Sequence, residues 1–155
     1  MEGDMHLRTA GKPKKIPLAL CKKAVLFYGK KLLSDNLFNK IEVELVFNDP
    51  TIGRDVYGYC DWNDENTRSR DFTITIRPNL SKKQTLLVLA HEMVHVKQYA
   101  KGEMKDYMRM KRVKFNGKIY DESMDYWDHP WEIEAHGREK GLYFKFLDNE
   151  RLNNG

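Results

Sequence analysis

Hydrophobic and polar positions along the chain predict a sequence of helices and strands. From Pro17 to about Leu33, apolar residues recur at helical spacing, which predicts an N-terminal helix with lysines on its outer surface. Residues 41–47 alternate between apolar and polar, as a half-buried strand does. Residues 55–62 and 71–78 predict two more strands, separated by a polar turn. We therefore expect an antiparallel sheet of three to four strands.

Residues 81–101 predict a second helix that is apolar on most of its circumference, as is typical of a helix buried in a core. Ser81 and Gln84 form a capping-box pattern at its start. Lys101 and Gly102 mark its end.

The region after this helix predicts a hairpin and then another helix. Residues 113–120 carry Asn-Gly between apolar residues, a strong signal for a two-residue β-turn. In residues 128–139, Pro130 suits the first turn of a helix and Trp131 begins an apolar face. The order of elements predicts an α+β fold with an N-terminal helix, an antiparallel sheet, a buried helix, a β-hairpin and a C-terminal helix.

The buried helix carries the sequence HEMVH at residues 91–95. Because residues four apart share a face of an α-helix, His91 and His95 can reach one metal ion while Glu92 holds a water against it. This arrangement is the core of a zinc hydrolase site. The alternative is that the two histidines are hydrogen-bonded core residues and that Glu92 is a solvated helix residue.

A catalytic zinc ion normally takes three protein ligands and keeps one position for water, so a third ligand is needed. Residues 128–139 offer four candidates, which are Glu132, Glu134, His129 and His136. Coordination chemistry admits all of them. Glu132 also has an alternative role, as a first-turn acid that complements the helix dipole.

HEMVH followed about 35 residues later by PWEIEA resembles the small gluzincin-type metallopeptidases, in particular short metallopeptidases of tailed-phage genomes. The layout is similar to that of ImmA/IrrE-like and minigluzincin proteins over roughly residues 40–145. The resemblance implies a small zincin-like fold, Zn²⁺ as cofactor and Glu132 as the third ligand after His91 and His95. Ala135 would let the two helices approach closely. The chain departs from the pattern at His136, where those families more often carry Asn, Asp or an aromatic residue.

The resemblance also implies a place for a peptide substrate. In those families the strand just before the motif helix forms the edge of the sheet above the metal and pairs with an extended substrate backbone. Residues 71–77, with the sequence DFTITIR, occupy that position in this chain. The alternative is that this strand is central and fully paired.

These inferences predict a zinc metalloendopeptidase that acts on a protein or peptide, with Glu92 as the general base that activates a zinc-bound water. The developing oxyanion needs a hydrogen-bond donor. The candidates are Tyr120, Tyr126, His129 and His136, each of which has the alternative role of an aromatic or polar core residue.

The composition predicts a single domain. A chain of 155 residues with 41% hydrophobic content can bury one core. We expect a flexible basic arm over residues 1–15, a zincin-like catalytic domain over 16–147 and a flexible tail over 148–155. Cys21 and Cys60 are too few for a disulfide framework and form no C-x-x-C pair, which excludes a zinc ribbon.

Charge gives the second hypothesis. The net charge is +4, and much of the lysine excess lies in the first 31 residues, where it predicts either a solvated surface or contacts with nucleic acid. The alternative function is therefore a non-catalytic or DNA-associated binding protein with a structural or vestigial zinc site. The chain begins without the apolar stretch of a signal peptide and has no segment of membrane-span length, so we expect no membrane contact and a cytoplasmic location, in the host cytoplasm if the protein is viral.

Overall fold

The computed structural model describes residues 5–64, 68–107 and 110–154. For residues 153 and 154 it describes the backbone alone. Helices and strands both contribute to the fold, so the predicted α+β class is confirmed. The described strands form two sheets, one of four strands and one of three.

The larger sheet consists of β1 (His6–Ala10), β2 (Glu42–Val46), β3 (Gly58–Trp62) and β4 (Asp71–Ile76). Its strand order is β1-β2-β4-β3. The β1–β2 and β2–β4 pairs are parallel, and the β3–β4 pair is antiparallel. The larger sheet is therefore mixed.

The prediction of an antiparallel sheet is wrong for β2 and β4. Val43 and Leu45 of β2 are buried, as are Phe72 and Ile74 of β4, and these alternations are the ones that the sequence predicted. An alternating strand buries one face whichever way its neighbour runs, so the pattern does not report direction. The chain reaches β4 from β2 by way of β3, which leaves β2 and β4 pointing the same way.

The proposed edge strand is wrong as well. β4 lies between β2 and β3, which confirms the alternative that it is central and paired on both sides. β3 is the edge strand on this side of the sheet. It precedes β4 in the chain and is antiparallel to it.

The structure also corrects the expected chain ends. Residues 6–10 belong to the segment predicted as a flexible arm, yet they form β1 and pair with β2. The C-terminal helix continues to Asn154, through nearly all of the segment predicted as a flexible tail. The partner of β1 lies more than 30 residues further along the chain. Composition near the terminus therefore carries no signal for this pairing.

Two helices lie between β1 and β2, and a third follows β4. They are α1 (Leu18–Leu32), the short α2 (Asp35–Phe38) and α3 (Lys82–Ala100). The buried hydroxyl of Tyr28 in α1 donates a hydrogen bond of 3.0 Å to the carbonyl of Leu86 in α3. α1 therefore supports the helix that carries HEMVH.

α3 has the predicted capping box. Ser81 accepts a hydrogen bond from the backbone of Gln84, and the Gln84 side chain accepts one from the backbone of Ser81. At the other end, Arg70 donates a 2.9 Å hydrogen bond to the carbonyl of Ala100. Every residue from 89 to 100 is buried, so polar side chains in this stretch need partners.

The smaller sheet contains β5 (Met104–Tyr107), β6 (Arg112–Phe115) and β7 (Lys118–Asp121), all antiparallel. The predicted hairpin is confirmed as β6–β7. Its two turn residues, Asn116 and Gly117, have φ values of 49° and 85°, as the mirror-image turn requires. β5 has no counterpart in the predicted elements.

A 3₁₀ turn at Tyr126–Asp128 leads into α4 (Pro130–Asn154), which packs along α3. Ala135 of α4 is fully buried. Among the described helices, none combines the length and the apolar character that a membrane span requires.

Candidate metal centre

The middle of α3 and the first turn of α4 bring two imidazoles and a carboxylate together. Nε2 of His91 lies 2.9 Å from Oε1 of Glu132, and Nε2 of His95 lies 3.2 Å from the same oxygen. The two histidines share a face of α3 because they are four residues apart. Both are 8% exposed, so the cluster is largely shielded from solvent.

These residues fit a zinc ion. Two imidazole nitrogens and one carboxylate oxygen are a usual donor set for catalytic zinc. Tetrahedral bonds of about 2.0–2.1 Å separate neighbouring ligand atoms by about 3.3 Å. The observed separations from Glu132 are 2.9 and 3.2 Å, close to this value. The group whose ligand atoms all lie within 4.8 Å of one another consists of His91, Glu132 and His136, and it does not include His95. The same donors also suit other first-row metals, so this donor set could hold a metal ion and does not select zinc.

The charges of this cluster favour a cation. Burial lowers the pKa of His91, but hydrogen bonds to Glu132 and Glu139 outweigh it and raise the pKa to about 10. Burial raises the pKa of Glu132, but hydrogen bonds to the two imidazoles hold it well below its usual range. Positive charge between α3 and α4 is therefore stabilised, whether a proton or a metal ion supplies it.

His136 is a second α4 residue at the cluster. Ligand atoms of His91, Glu132 and His136 all lie within 4.8 Å of one another. Nε2 of His136 is 3.0 Å from the hydroxyl of Tyr126, and its Nδ1 is 2.7 Å from Oε1 of Glu139. Both of its ring nitrogens thus have protein partners.

The other two candidates for the third ligand have different partners. Glu134 accepts a 2.9 Å hydrogen bond from Gln98 and forms an ion pair with Lys97. His129 stacks on Trp131 with ring centroids 4.5 Å apart. Of the four candidates, the structure therefore places Glu132 and His136 at the cluster.

Gln98 anchors the imidazole of His95. Nδ1 of His95 lies 2.8 Å from Oε1 of Gln98, whose Nε2 donates 2.9 Å hydrogen bonds to the carbonyl of Trp131 and to Glu134. Gln98 has 0% exposure. An amide oxygen only accepts, so Nδ1 of His95 carries a proton, and Nε2 is the nitrogen that faces Glu132 and that would bind a metal. Sequence reasoning missed this role, although an amide within a buried apolar stretch was a signal.

Glu139 is a second residue that sequence reasoning missed. Its Oε1 lies 2.7 Å from Nδ1 of His136 and 3.6 Å from Nδ1 of His91. Burial raises the pKa of Glu139, but the imidazoles of His91 and His136 lower it by a larger amount, so the side chain is a carboxylate. Its position one turn after His136 was the available signal. Glu139 therefore helps to orient the rings of His136 and His91, whereas Gln98 contacts His95.

Glu92, the second residue of HEMVH, is 5% exposed and lines both cavities beside the cluster. Burial raises the pKa of its carboxyl group, and the two imidazoles offset part of this rise. A carboxylate with a raised pKa is a better proton acceptor.

Tyr126 is the donor candidate closest to the cluster. Its hydroxyl lies 3.0 Å from Oε1 of Glu132 and 3.0 Å from Nε2 of His136. Burial and the neighbouring Glu132 raise its pKa, so the hydroxyl keeps its proton and can donate. Tyr120, another candidate, instead has its ring 5.8 Å from that of Trp131.

A cleft runs across the cluster. It consists of two cavities of about 410 and 420 Å³, and both are lined by Gly58, His91, Glu92 and Tyr126. Gly58, Tyr59 and Cys60 of β3 form part of the wall of the first cavity. Among the described strands, β3 pairs only with β4, so its outer edge lies along the cleft.

Comparison with known proteins adds no relative, since no family model, no curated protein and no solved structure matches this chain.

Proposed function

We propose that the protein is a zinc-dependent metallopeptidase of the gluzincin type with a small zincin-like fold. The observation that carries this proposal is the convergence of His91, His95 and Glu132 beside the buried Glu92. In this proposal His91, His95 and Glu132 hold the metal. The open cleft at the cluster supports a catalytic site over a closed structural one.

Each residue near the metal has a chemical role in peptide hydrolysis. A bound Zn²⁺ supplies Lewis-acid polarisation and lowers the pKa of water. Glu92 removes the proton from the attacking water and delivers it to the amine that leaves. Tyr126 donates a hydrogen bond to the carbonyl oxygen as negative charge develops on it. Gln98 and Glu139 keep the two imidazoles oriented.

The edge of β3 gives the substrate its binding mode. An extended peptide that pairs with this edge as an added strand would lie at the two cavities, both of which Gly58 and Glu92 line. Backbone pairing of this kind gives affinity without requiring a particular sequence. The peptide-binding edge is thus β3 in this proposal, where the sequence had suggested residues 71–77.

The test is metal content together with the Glu92→Gln variant. Protein purified without chelator should contain about one equivalent of zinc, and a library of quenched fluorescent peptides should reveal cleavage. Glu92→Gln should keep the metal and lose about 100- to 10,000-fold in rate. Glu44→Gln, an equal change on β2 away from the cleft, is the matched control. A parent protein that neither holds nor takes up zinc would overturn the proposal.

The second candidate function is a structural metal site in a binding protein. The observation in its favour is the position of His136, which would close the site as a fourth ligand. His136→Ala separates the two proposals. It should weaken zinc binding by no more than about 10- to 100-fold if the ring is only an outer partner. A much larger loss, with no cleavage by the parent, would favour the structural site.

A further inference from the structure

The smaller sheet forms one wall of the 410 Å³ cavity. Met104 and Asp106 of β5, Val113 of β6 and Glu122 just after β7 all line it. The remaining lining includes His91 and other residues of the metal centre. The cavity therefore connects the proposed reaction site to a second group of polar side chains that the mechanism does not use.

The polar part of this wall is a pair of carboxyl groups. Asp106 and Glu122 line the same cavity, and burial, together with the neighbouring Glu122, raises the pKa of Asp106 to about 6. Oδ1 of Asp106 is buried and has no hydrogen-bond partner among the described residues. None of the described residues that line the cavity is Lys or Arg. At neutral pH the wall formed by Asp106 and Glu122 is therefore negatively charged, and the basic side chains among the described lining residues are histidines.

The rest of the wall suits a long, flexible cationic side chain. Met104 and Val113 are buried apolar residues on the strands that carry or adjoin Asp106. The ring of Trp131 lines the same cavity and is stacked on His129. Lys and Arg side chains lay their methylene groups along such surfaces while the charged end reaches a carboxylate.

We propose that this wall is a subsite that binds a lysine or arginine side chain of a peptide substrate. The proposal rests on the proposed peptidase function, because it assigns the substrate to the same cleft. Asp106 and Glu122 bind the cation, and the apolar residues contact its stem. A neutral side chain of the same length would fill the cavity but leave the two carboxylates without a counter-charge.

The experiment measures binding separately from cleavage. In the Glu92→Gln background, fluorescent peptides carry one lysine at successive positions, and matched series carry methionine or glutamate there instead. At one position the lysine peptide should bind about tenfold more tightly than the methionine peptide, and the glutamate peptide should bind most weakly. This preference should weaken as salt is raised.

Variants of the acidic wall complete the test. Asp106→Asn and Glu122→Gln should each reduce the lysine preference, and Glu122→Lys should reverse it in favour of the glutamate peptide. Glu44→Gln, which removes one charge outside the cleft, should leave it unchanged. The exposed position of Glu122 makes its variants safe for folding.

The outcomes distinguish this subsite from the peptidase function. Lysine-selective binding that depends on Asp106 and Glu122 supports the subsite even if the parent cleaves nothing. Cleavage by the parent with equal binding of lysine and methionine peptides at every position overturns the subsite and leaves the peptidase function standing. If none of the peptides binds measurably, the subsite is overturned as well.

Discussion

The metal centre and the acidic wall formed by Asp106 and Glu122 line the same 410 Å³ cavity, but their polar groups differ in how completely they are hydrogen-bonded. At the metal centre, His95 is fixed by the fully buried Gln98, and Glu132 accepts hydrogen bonds from two imidazoles and a tyrosine. At the acidic wall, Asp106 faces another carboxyl group and has a buried oxygen without a partner among the described residues.

This difference separates a preorganised site from one that awaits a ligand. Buried polar groups that are fully bonded hold their geometry and stabilise the fold. A carboxyl pair held together without a cation costs stability, and such a cost is typical of a binding site. Removing groups at the metal centre should therefore weaken the protein or its metal affinity, whereas removing charge at the acidic wall should stabilise the protein.

The largest expected effect is on zinc affinity when Glu132 is changed. Glu132→Gln should weaken zinc binding by more than about 100-fold, since changes of outer partners alone cost about 10- to 100-fold. Glu134→Gln is the matched control, because it alters the same helix two residues away and should cost less than about tenfold. Competition with a chromogenic chelator measures both. Equal losses in the two variants would mean that Glu132 is no ligand.

Gln98→Leu should have the next largest effect. It removes the acceptor for His95 and leaves the carbonyl of Trp131 and a carboxylate oxygen of Glu134 without their buried donor. We expect the free energy of unfolding of the metal-free protein to fall by about 2–4 kcal/mol, and zinc affinity to fall about 10- to 100-fold. Urea unfolding in chelator and zinc competition measure the two effects.

Gln98→Glu separates the two roles of this side chain. Its carboxylate still accepts from His95 but cannot donate to Trp131 or Glu134, so zinc affinity should recover more than stability does. Zinc binding by Gln98→Leu that equals the parent's would contradict the idea that Gln98 sets the geometry of the centre.

Much of the metal centre was predictable from the sequence, because the signals for it are local. The HEMVH spacing and the capping box of Ser81 and Gln84 lie within one helix and were found in the sequence. Glu132 was preferred over Glu134 by resemblance alone. The face that α4 turns towards α3 depends on how the two helices pack, and the sequence carries no direct record of it.

The acidic wall was not predictable from the sequence, because only tertiary contacts bring its two carboxyl groups together. Asp106 and Glu122 are separated by the whole β6–β7 hairpin, and β5 was not anticipated. The edge strand was misplaced because alternation in β3 and β4 reports burial and not order in the sheet. Tertiary contacts thus decide both the substrate-binding edge and the wall opposite it.

Glu139→Ala tests the more exposed support of the metal centre. The contact of Glu139 with His91 is long, at 3.6 Å, and its stronger bond is to His136. We expect a loss of zinc affinity of up to about tenfold, at the weak end of the range for outer partners. The metal-free protein should keep nearly the parent's stability, unlike Gln98→Leu. A loss of affinity above that of Gln98→Leu would reverse the ranking of the two supports.

The smallest expected effect has the opposite sign and belongs to Asp106→Asn. The carboxyl of Asp106 has a pKa of about 6 in the folded protein, against about 3.9 in an unfolded chain, so the folded state binds the proton more tightly. The parent is therefore most stable, with respect to this group, below pH 4, and it loses that contribution as pH rises through 6. The other titratable groups among the described residues that line this cavity are Tyr59, Cys60, His91, Glu92, His95, Tyr99, Glu122, Tyr126, His129 and Glu132.

Asparagine carries no charge at any of these pH values, so the variant avoids the loss. After a discount for the partial exposure of Asp106, Asp106→Asn should exceed the parent's free energy of unfolding by about 1 kcal/mol at pH 7.5. The difference should vanish near pH 4. Urea unfolding of both metal-free proteins, in chelator at the two pH values, measures this difference. The residues of the metal centre are the same in both proteins, so their contribution to the free energy of unfolding cancels. A variant less stable than the parent at pH 7.5 would show that the acidic wall is bonded like the metal centre, and the contrast between them would fail.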